Sequence, residues 1–170
     1  MATYQFHDIV KSVTRIDRRY GKRQVPMKVL ALGLCRTGTD CEFSLSISFF
    51  KHGFAGLQLT SIHIALRQAL RTLGYNDTYH GYVAALENPR DCELWYEALR
   101  AKYDGVGKPF EREDFDQLLG NCQAVCDFPA AAFAKELIEA YPEAKVILTE
   151  RDVDEWHRWV HPATKKRTKY

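Results

Sequence analysis

A guanidinium, two hydroxyls, a carboxylate and two glycines fall in one short stretch, Gly33-Leu34-Cys35-Arg36-Thr37-Gly38-Thr39-Asp40. The apolar run Val29-Leu30-Ala31-Leu32 leads straight into it. Such a run ending at glycine reads as a buried parallel strand that delivers the chain into an anion-binding turn. Gly33 and Gly38 are expected at positive φ, where successive N–H groups converge on an anion. Arg36 supplies a rigid positive fork, and Thr37 and Thr39 supply hydroxyl donors. A phosphate or sulfate ester suits this loop, and an ordinary glycine-containing strand-to-helix turn is the alternative.

The elements that must hold such a loop can be read from periodicity. The first strand is expected over Lys28–Leu32. A helix is expected over Ile64–Leu73, with Leu66, Leu70 and Leu73 on one stripe and Gly74 as its stop. Asn88-Pro89 opens a second helix whose apolar face is Leu94, Trp95, Ala98 and Leu99, ending near Gly105. A short helix over Arg112–Leu119 stops at Gly120. Gln123–Asp127 reads as a strand, and Pro129 starts a helix that reaches Tyr141. Lys145–Thr149 reads as a third strand buried on both faces. The last two strands and their helix form a βαβ unit, and Asp152-x-x-Glu155 resembles a capping box that opens one more helix.

Composition sets the class. The chain has 170 residues, 46% apolar and 27% charged, with net charge +2. That length supports one α/β domain, and that charge gives no argument for nucleic acid. Basic residues gather at Lys11, Arg15, Arg18, Arg19, Lys22 and Arg23, and again at Lys165, Lys166, Arg167 and Lys169. Both runs read as solvated surface. Five cysteines without a C-x-x-C pair suggest reduced thiols. No signal peptide and no membrane span are expected, and the reading is of a cytoplasmic protein.

Residues 41–63 break the pattern. They hold neither helical nor strict strand periodicity and carry few charges, yet an anion loop gains from a helix directly behind it. They read as a translated intron or mis-joined gene model, with a genuine lid insertion as the alternative. The organisation is then a basic lead-in at 1–26, a domain at 27–160 interrupted by 41–63, and a basic tail at 161–170.

With that segment set aside, Arg36-Thr37-Gly38-Thr39-Asp40 abuts Ile64-Ala65-Leu66, and the chain resembles the fungal branch of the P-loop sulfotransferase superfamily. The likeness runs through Asn88-Pro89, Trp95, Gly107-Lys108-Pro109-Phe110, Phe115-Asp116-Gln117-Leu118-Leu119-Gly120 and Val125-Cys126-Asp127-Phe128-Pro129-Ala130. It ends in Leu148-Thr149-Glu150-Arg151-Asp152-Val153-Asp154-Glu155-Trp156, and so covers about 25–40 and 64–158.

The resemblance implies a parallel-sheet, three-layer P-loop NTPase-like α/β fold, incomplete at its C-terminus. It also implies sulfuryl transfer from 3′-phosphoadenosine 5′-phosphosulfate to the hydroxyl or amine of a small-molecule acceptor, without a metal. Gly33, Arg36, Thr37, Gly38, Thr39 and Asp40 would hold the 5′-phosphosulfate, and Arg36 would steady the bridging oxygen as the sulfuryl group leaves. Arg151 matches the arginine that binds the 3′-phosphate, with a structural ion-pair partner of a nearby acid as its alternative. Trp159 stands where the superfamily has a serine. Asp127 occupies the place of the superfamily's catalytic histidine and would act as general base, with helix N-capping as its alternative. His80, beside Tyr79 and Tyr82, is a candidate acceptor-pocket residue or a structural histidine. Trp95 and Trp156 read as packing residues.

Two rival classes differ in specific residues. A nucleotide-hydrolysing P-loop has lysine and a hydroxyl residue after its second glycine, whereas Thr39-Asp40 follows Gly38 here. A nicotinamide-binding turn requires a second glycine that Gly33-Leu34-Cys35 lacks. An inactive fragment of a sulfotransferase is the non-enzymatic alternative.

Overall fold

The computed structural model describes residues 13–33, 62–150 and 152–158, with side chains from residue 66 onward in the first helix. Three short parallel strands form the sheet: β1 (Val29–Ala31), β2 (Ala124–Cys126) and β3 (Lys145–Ile147), in the order β2-β1-β3. The register is level across it, pairing Ala31 with Cys126 on one side and with Ile147 on the other. The expected βαβ unit is therefore split, because β1 lies between the two strands that the connection joins.

Alternation on β1 and β2 dictates the layers. Leu30, Leu32 and Val125 join the larger core with Tyr79, Trp95, Phe115, Phe133 and Leu137. Val29 and Ala124 face the other way, against Leu70, with Leu66, Tyr75 and Ile147 packed alongside. That second face belongs to helix α1 (Ile62–Thr72). The larger core is built from α2 (Asp91–Leu99), α3 (Arg112–Leu119) and α4 (Ala134–Ala140). Helices thus cover both faces of a parallel sheet, an α/β architecture of three layers.

Local signals set most boundaries. Gly74 follows α1 at φ 87°, a conformation that favours glycine. A π-helical turn (Val83–Glu87) precedes α2, and a second one (Arg100–Asp104) extends it to Gly105, at φ 67°. Glu111 and Asp114 form a reciprocal capping box at the start of α3. The expected helix from Pro129 is a 3-10 turn (Ala130–Phe133) that passes into α4. Asp152 caps the helical turn at 153–158 by accepting the Glu155 N–H at 3.0 Å.

Several expectations are corrected. Gly33 does not have positive φ: its constraint is space, because a β-carbon there would collide with Thr149 Oγ1 and stand 3.0 Å from the Thr149 Cβ and carbonyl oxygen. The strand at Lys145–Ile147 is not buried on both faces, since Val146 is 49% exposed and Leu148 beyond it 63%. It forms one edge of the described sheet, so only β1 has a hydrogen-bonded strand on each side. Leu73 likewise falls off the buried stripe of α1.

The last correction concerns the first basic run, part of which is anchored rather than solvated. Arg18 Nε donates to the fully buried Asp91 at 3.0 Å, and Arg23 donates to Asp116, Tyr141 Oη and the carbonyls of Leu119 and Cys122. Asn88 completes the attachment: its Oδ1 accepts the Ile16 N–H and its Nδ2 donates to the Ile16 carbonyl, each at 2.9 Å. A strap over residues 14–25 is thereby tied across α2 and α3 and leads into β1.

Candidate functional site

In an open parallel sheet, ligands bind outside the carboxyl ends of the strands, where the following turns converge. The level register puts three candidate turns at that one edge. β1 runs out into Gly33, β2 into Asp127, and β3 into Thr149 and Glu150. The tight packing of Gly33 on Thr149 brings the first and third turns together. Arg36, Thr37, Gly38, Thr39, Asp40 and Arg151 lie outside the described residues, as does the segment 41–61.

Asp127 immediately follows the last residue of β2 and takes φ 68°, a left-handed conformation that aspartate tolerates better than most residues. Its carbonyl accepts the Ala131 N–H at 3.0 Å, which starts the helical turn. The N-cap position of that turn belongs to Pro129. Burial pushes the Asp127 carboxyl up to about 6, against the opposing effect of the Phe128 N–H. An acid in that range can exchange a proton near neutral pH.

His80 reaches the same edge by a route that sequence reasoning missed. Tyr79 pairs in parallel with Val125, its N–H donating to the Ala124 carbonyl at 2.8 Å and its carbonyl accepting the Cys126 N–H at 2.9 Å. One residue of strand pairing is too short to show as a period. It brings His80 to Asp127, with His80 Nε2 3.3 Å from Asp127 Oδ2. Gly81 allows this approach, because a β-carbon there would collide with the Phe128 carbonyl oxygen. His80 is 2% exposed, so it is an interior residue of this edge. The glycine after His80 and the aspartate before Phe128-Pro129, far apart in the chain, were the available signals.

Beneath the edge lies a hydrogen-bonded support. Trp95 Nε1 donates to Tyr79 Oη at 2.9 Å, and Tyr79 Oη donates to Asp91 Oδ2 at 3.2 Å. Asp91 also accepts from Asn88 Nδ2 at 2.6 Å and from Arg18. Burial raises the Asp91 carboxyl above its usual range, with Arg18 opposing the effect. Trp95 is thus a packing residue that also fixes Tyr79, and through it the position of His80.

No group of three His, Cys, Asp or Glu among the described residues is arranged to hold a metal ion. Cys92, Cys122 and Cys126 are free thiols, and burial pushes Cys122 up to about 12. No helix among the described residues is long and apolar enough to cross a membrane.

Fold and edge together define an α/β protein whose candidate site lies at the carboxyl ends of a parallel sheet. The model of the sulfotransferase domain matches residues 64–169. Ava biosynthesis cluster protein M of Aspergillus versicolor is 45% identical over 130 residues, covering 76% of this chain and 40% of that protein. The chain belongs to the sulfotransferase domain family. It spans 40% of the length of that relative.

Proposed function

We propose that this chain carries the donor loop and general base of a sulfotransferase, which moves a sulfuryl group from 3′-phosphoadenosine 5′-phosphosulfate to the hydroxyl or amine of a small molecule. The observation that carries the reading is the convergence of Gly33, Asp127 and Thr149 on one edge of the sheet. Gly33 fits the proposal because its bare α-carbon lets the turn after β1 lie against the turn after β3. In this reading Gly33, Arg36, Thr37, Gly38, Thr39 and Asp40 bind the phosphosulfate end of the donor. Arg151 binds the 3′-phosphate.

The chemistry then follows from charge. The acceptor oxygen or nitrogen forms a bond to sulfur as the sulfur–oxygen bond to the phosphate breaks, and that electron pair leaves with the phosphate. Arg36 and the loop donors stabilise this growing negative charge, where preorganised groups count most. Asp127 takes the acceptor's proton, a step worth about 10²- to 10⁴-fold in rate. Neither role calls for a metal.

Thermal melts with 3′-phosphoadenosine 5′-phosphate test the reading. Ligand at a hundred times its Kd adds about 2.7 kcal/mol to the stability of the protein that binds it. We expect a clear rise in Tm for a chain lacking residues 41–61, where α1 is retained, and a small one for the full chain. A rise with ATP and magnesium but none with the bisphosphate would assign the loop to nucleotide hydrolysis instead.

A further inference from the structure

Asp127 and His80 meet at the carboxyl edge of β2, and their hydrogen-bond geometry distinguishes their roles. His80 Nδ1 accepts the backbone N–H of Tyr82 at 3.1 Å. A ring nitrogen that accepts carries no proton, so the neutral imidazole holds its proton on Nε2. That nitrogen is the one 3.3 Å from Asp127 Oδ2. The ring is clamped from the side as well, stacked on Tyr82 with centroids 4.7 Å apart and planes 10° from parallel. The Phe128 carbonyl oxygen occupies the space a β-carbon on Gly81 would need, so only glycine permits this spacing between the two segments.

We propose that His80 is a positioning residue that holds the Asp127 carboxylate ionised and aimed at the acceptor, and that it does not itself take the proton. This rests on the preceding reading of Asp127 as the base. The reverse assignment, histidine as base oriented by aspartate, needs Nδ1 turned towards the acceptor, and Tyr82 occupies that nitrogen. During transfer the acceptor's proton passes to Asp127, while the Nε2–H bond of His80 stays intact. The 3.3 Å contact shortens to a hydrogen bond when the acceptor closes the site, as long apo contacts at catalytic groups commonly do. The left-handed backbone of Asp127 serves the same end, since strained conformations persist where the surrounding structure holds them. The buried thiol of Cys126 also feels the Asp127 charge and, with the opposite effect, that of Arg67 of α1.

Titrating the Asp127 carboxyl by carbon-13 NMR in the wild type, His80→Phe and His80→Gln tests this directly. The Phe ring keeps the stack on Tyr82 but removes the donor, so Asp127 should titrate about one pH unit higher, as loss of a donor to a charged carboxylate implies. His80→Gln retains an N–H donor and should restore most of the shift. In a transfer assay the acid limb should move with the titration, with kcat lowered and the donor KM unchanged. Nitrogen-15 shifts of wild-type His80 should report the Nε2-protonated tautomer, whatever the fate of the variants. An Nδ1-protonated ring, or an unmoved Asp127 titration in a folded His80→Phe, overturns the proposal. If the titrations shift as stated but the wild type transfers to no acceptor, the catalytic reading of Asp127 fails and the pairing stands.

Discussion

Gly33 and Thr149 share one packing position: a β-carbon on the glycine would occupy the space of the threonine hydroxyl. They follow the central strand and its neighbour β3, so this contact sets how closely the two turns approach. Overpacking at a close contact typically costs about 1–3 kcal/mol. Gly33→Ala should therefore lower Tm and weaken 3′-phosphoadenosine 5′-phosphate binding at least about tenfold, the equivalent of 1.4 kcal/mol. Adding Thr149→Gly to Gly33→Ala should recover part of the loss. A Gly33→Ala variant that binds like the wild type would separate this contact from the donor site.

Asp127 predicts a pH dependence of rate. Its carboxyl, held near 6 by burial, is mostly protonated at pH 5 and mostly ionised at pH 7. A base must be ionised to accept a proton, so transfer should rise through about pH 6 and level off above it. Asp127→Asn, which also tolerates left-handed backbone, should lose about 10²-fold or more in kcat while still binding the bisphosphate.

The same carboxyl predicts a pH dependence of stability with the opposite trend. Its pKa is raised in the folded chain, so between the ordinary carboxylate range and about 6 the unfolded chain is ionised while the native one stays protonated. Its contribution is fully present below that window and is lost as pH rises through it, by about 3 kcal/mol at most. Asp127→Asn should thus gain Tm relative to wild type at pH 8 and not at pH 4. A pH-independent difference between the two proteins would rule this out.

Asp91 is fully buried and gathers Arg18, Asn88 and Tyr79. Removing one partner of a buried charge pair costs about 3–5 kcal/mol, because the other charge is left uncompensated. Asp91→Ala should destabilise the chain by that order in urea unfolding. It should also release the strap, so that the Ile16 amide exchanges with solvent faster than in the wild type.

The packed core and the exposed edge strand should respond unequally. Phe115 is completely buried against Phe110 and Phe133, with ring centroids 5.8 Å apart in both cases. Phe115→Ala should cost about 3–5 kcal/mol. Val146→Thr, at an exposed position of β3, should stay within about 0.5 kcal/mol of wild type. A large loss at Val146 would mean that residues outside the described set cover it.

Wherever neighbours in the chain control the outcome, residue order alone was sufficient. The Arg112–Leu119 helix, the glycine stops at Gly74 and Gly105, and the three strand cores follow from periodicity and capping, which act within a few residues. Strand-then-glycine grammar also marked the turn after β1, and the ordered motifs from Asn88 to Trp156 marked the family. Tertiary structure decided the rest. The strap became an anchored element because Asp91 and Asn88 lie more than seventy residues from the groups they bind, a distance no local period records. Gly33 proved to be a steric requirement rather than a conformational one, since its constraint is a side chain from another strand's turn. His80 and Asp127 became a pair through one residue of strand pairing at Tyr79, too short to carry a pattern and effective only once β2 is in place.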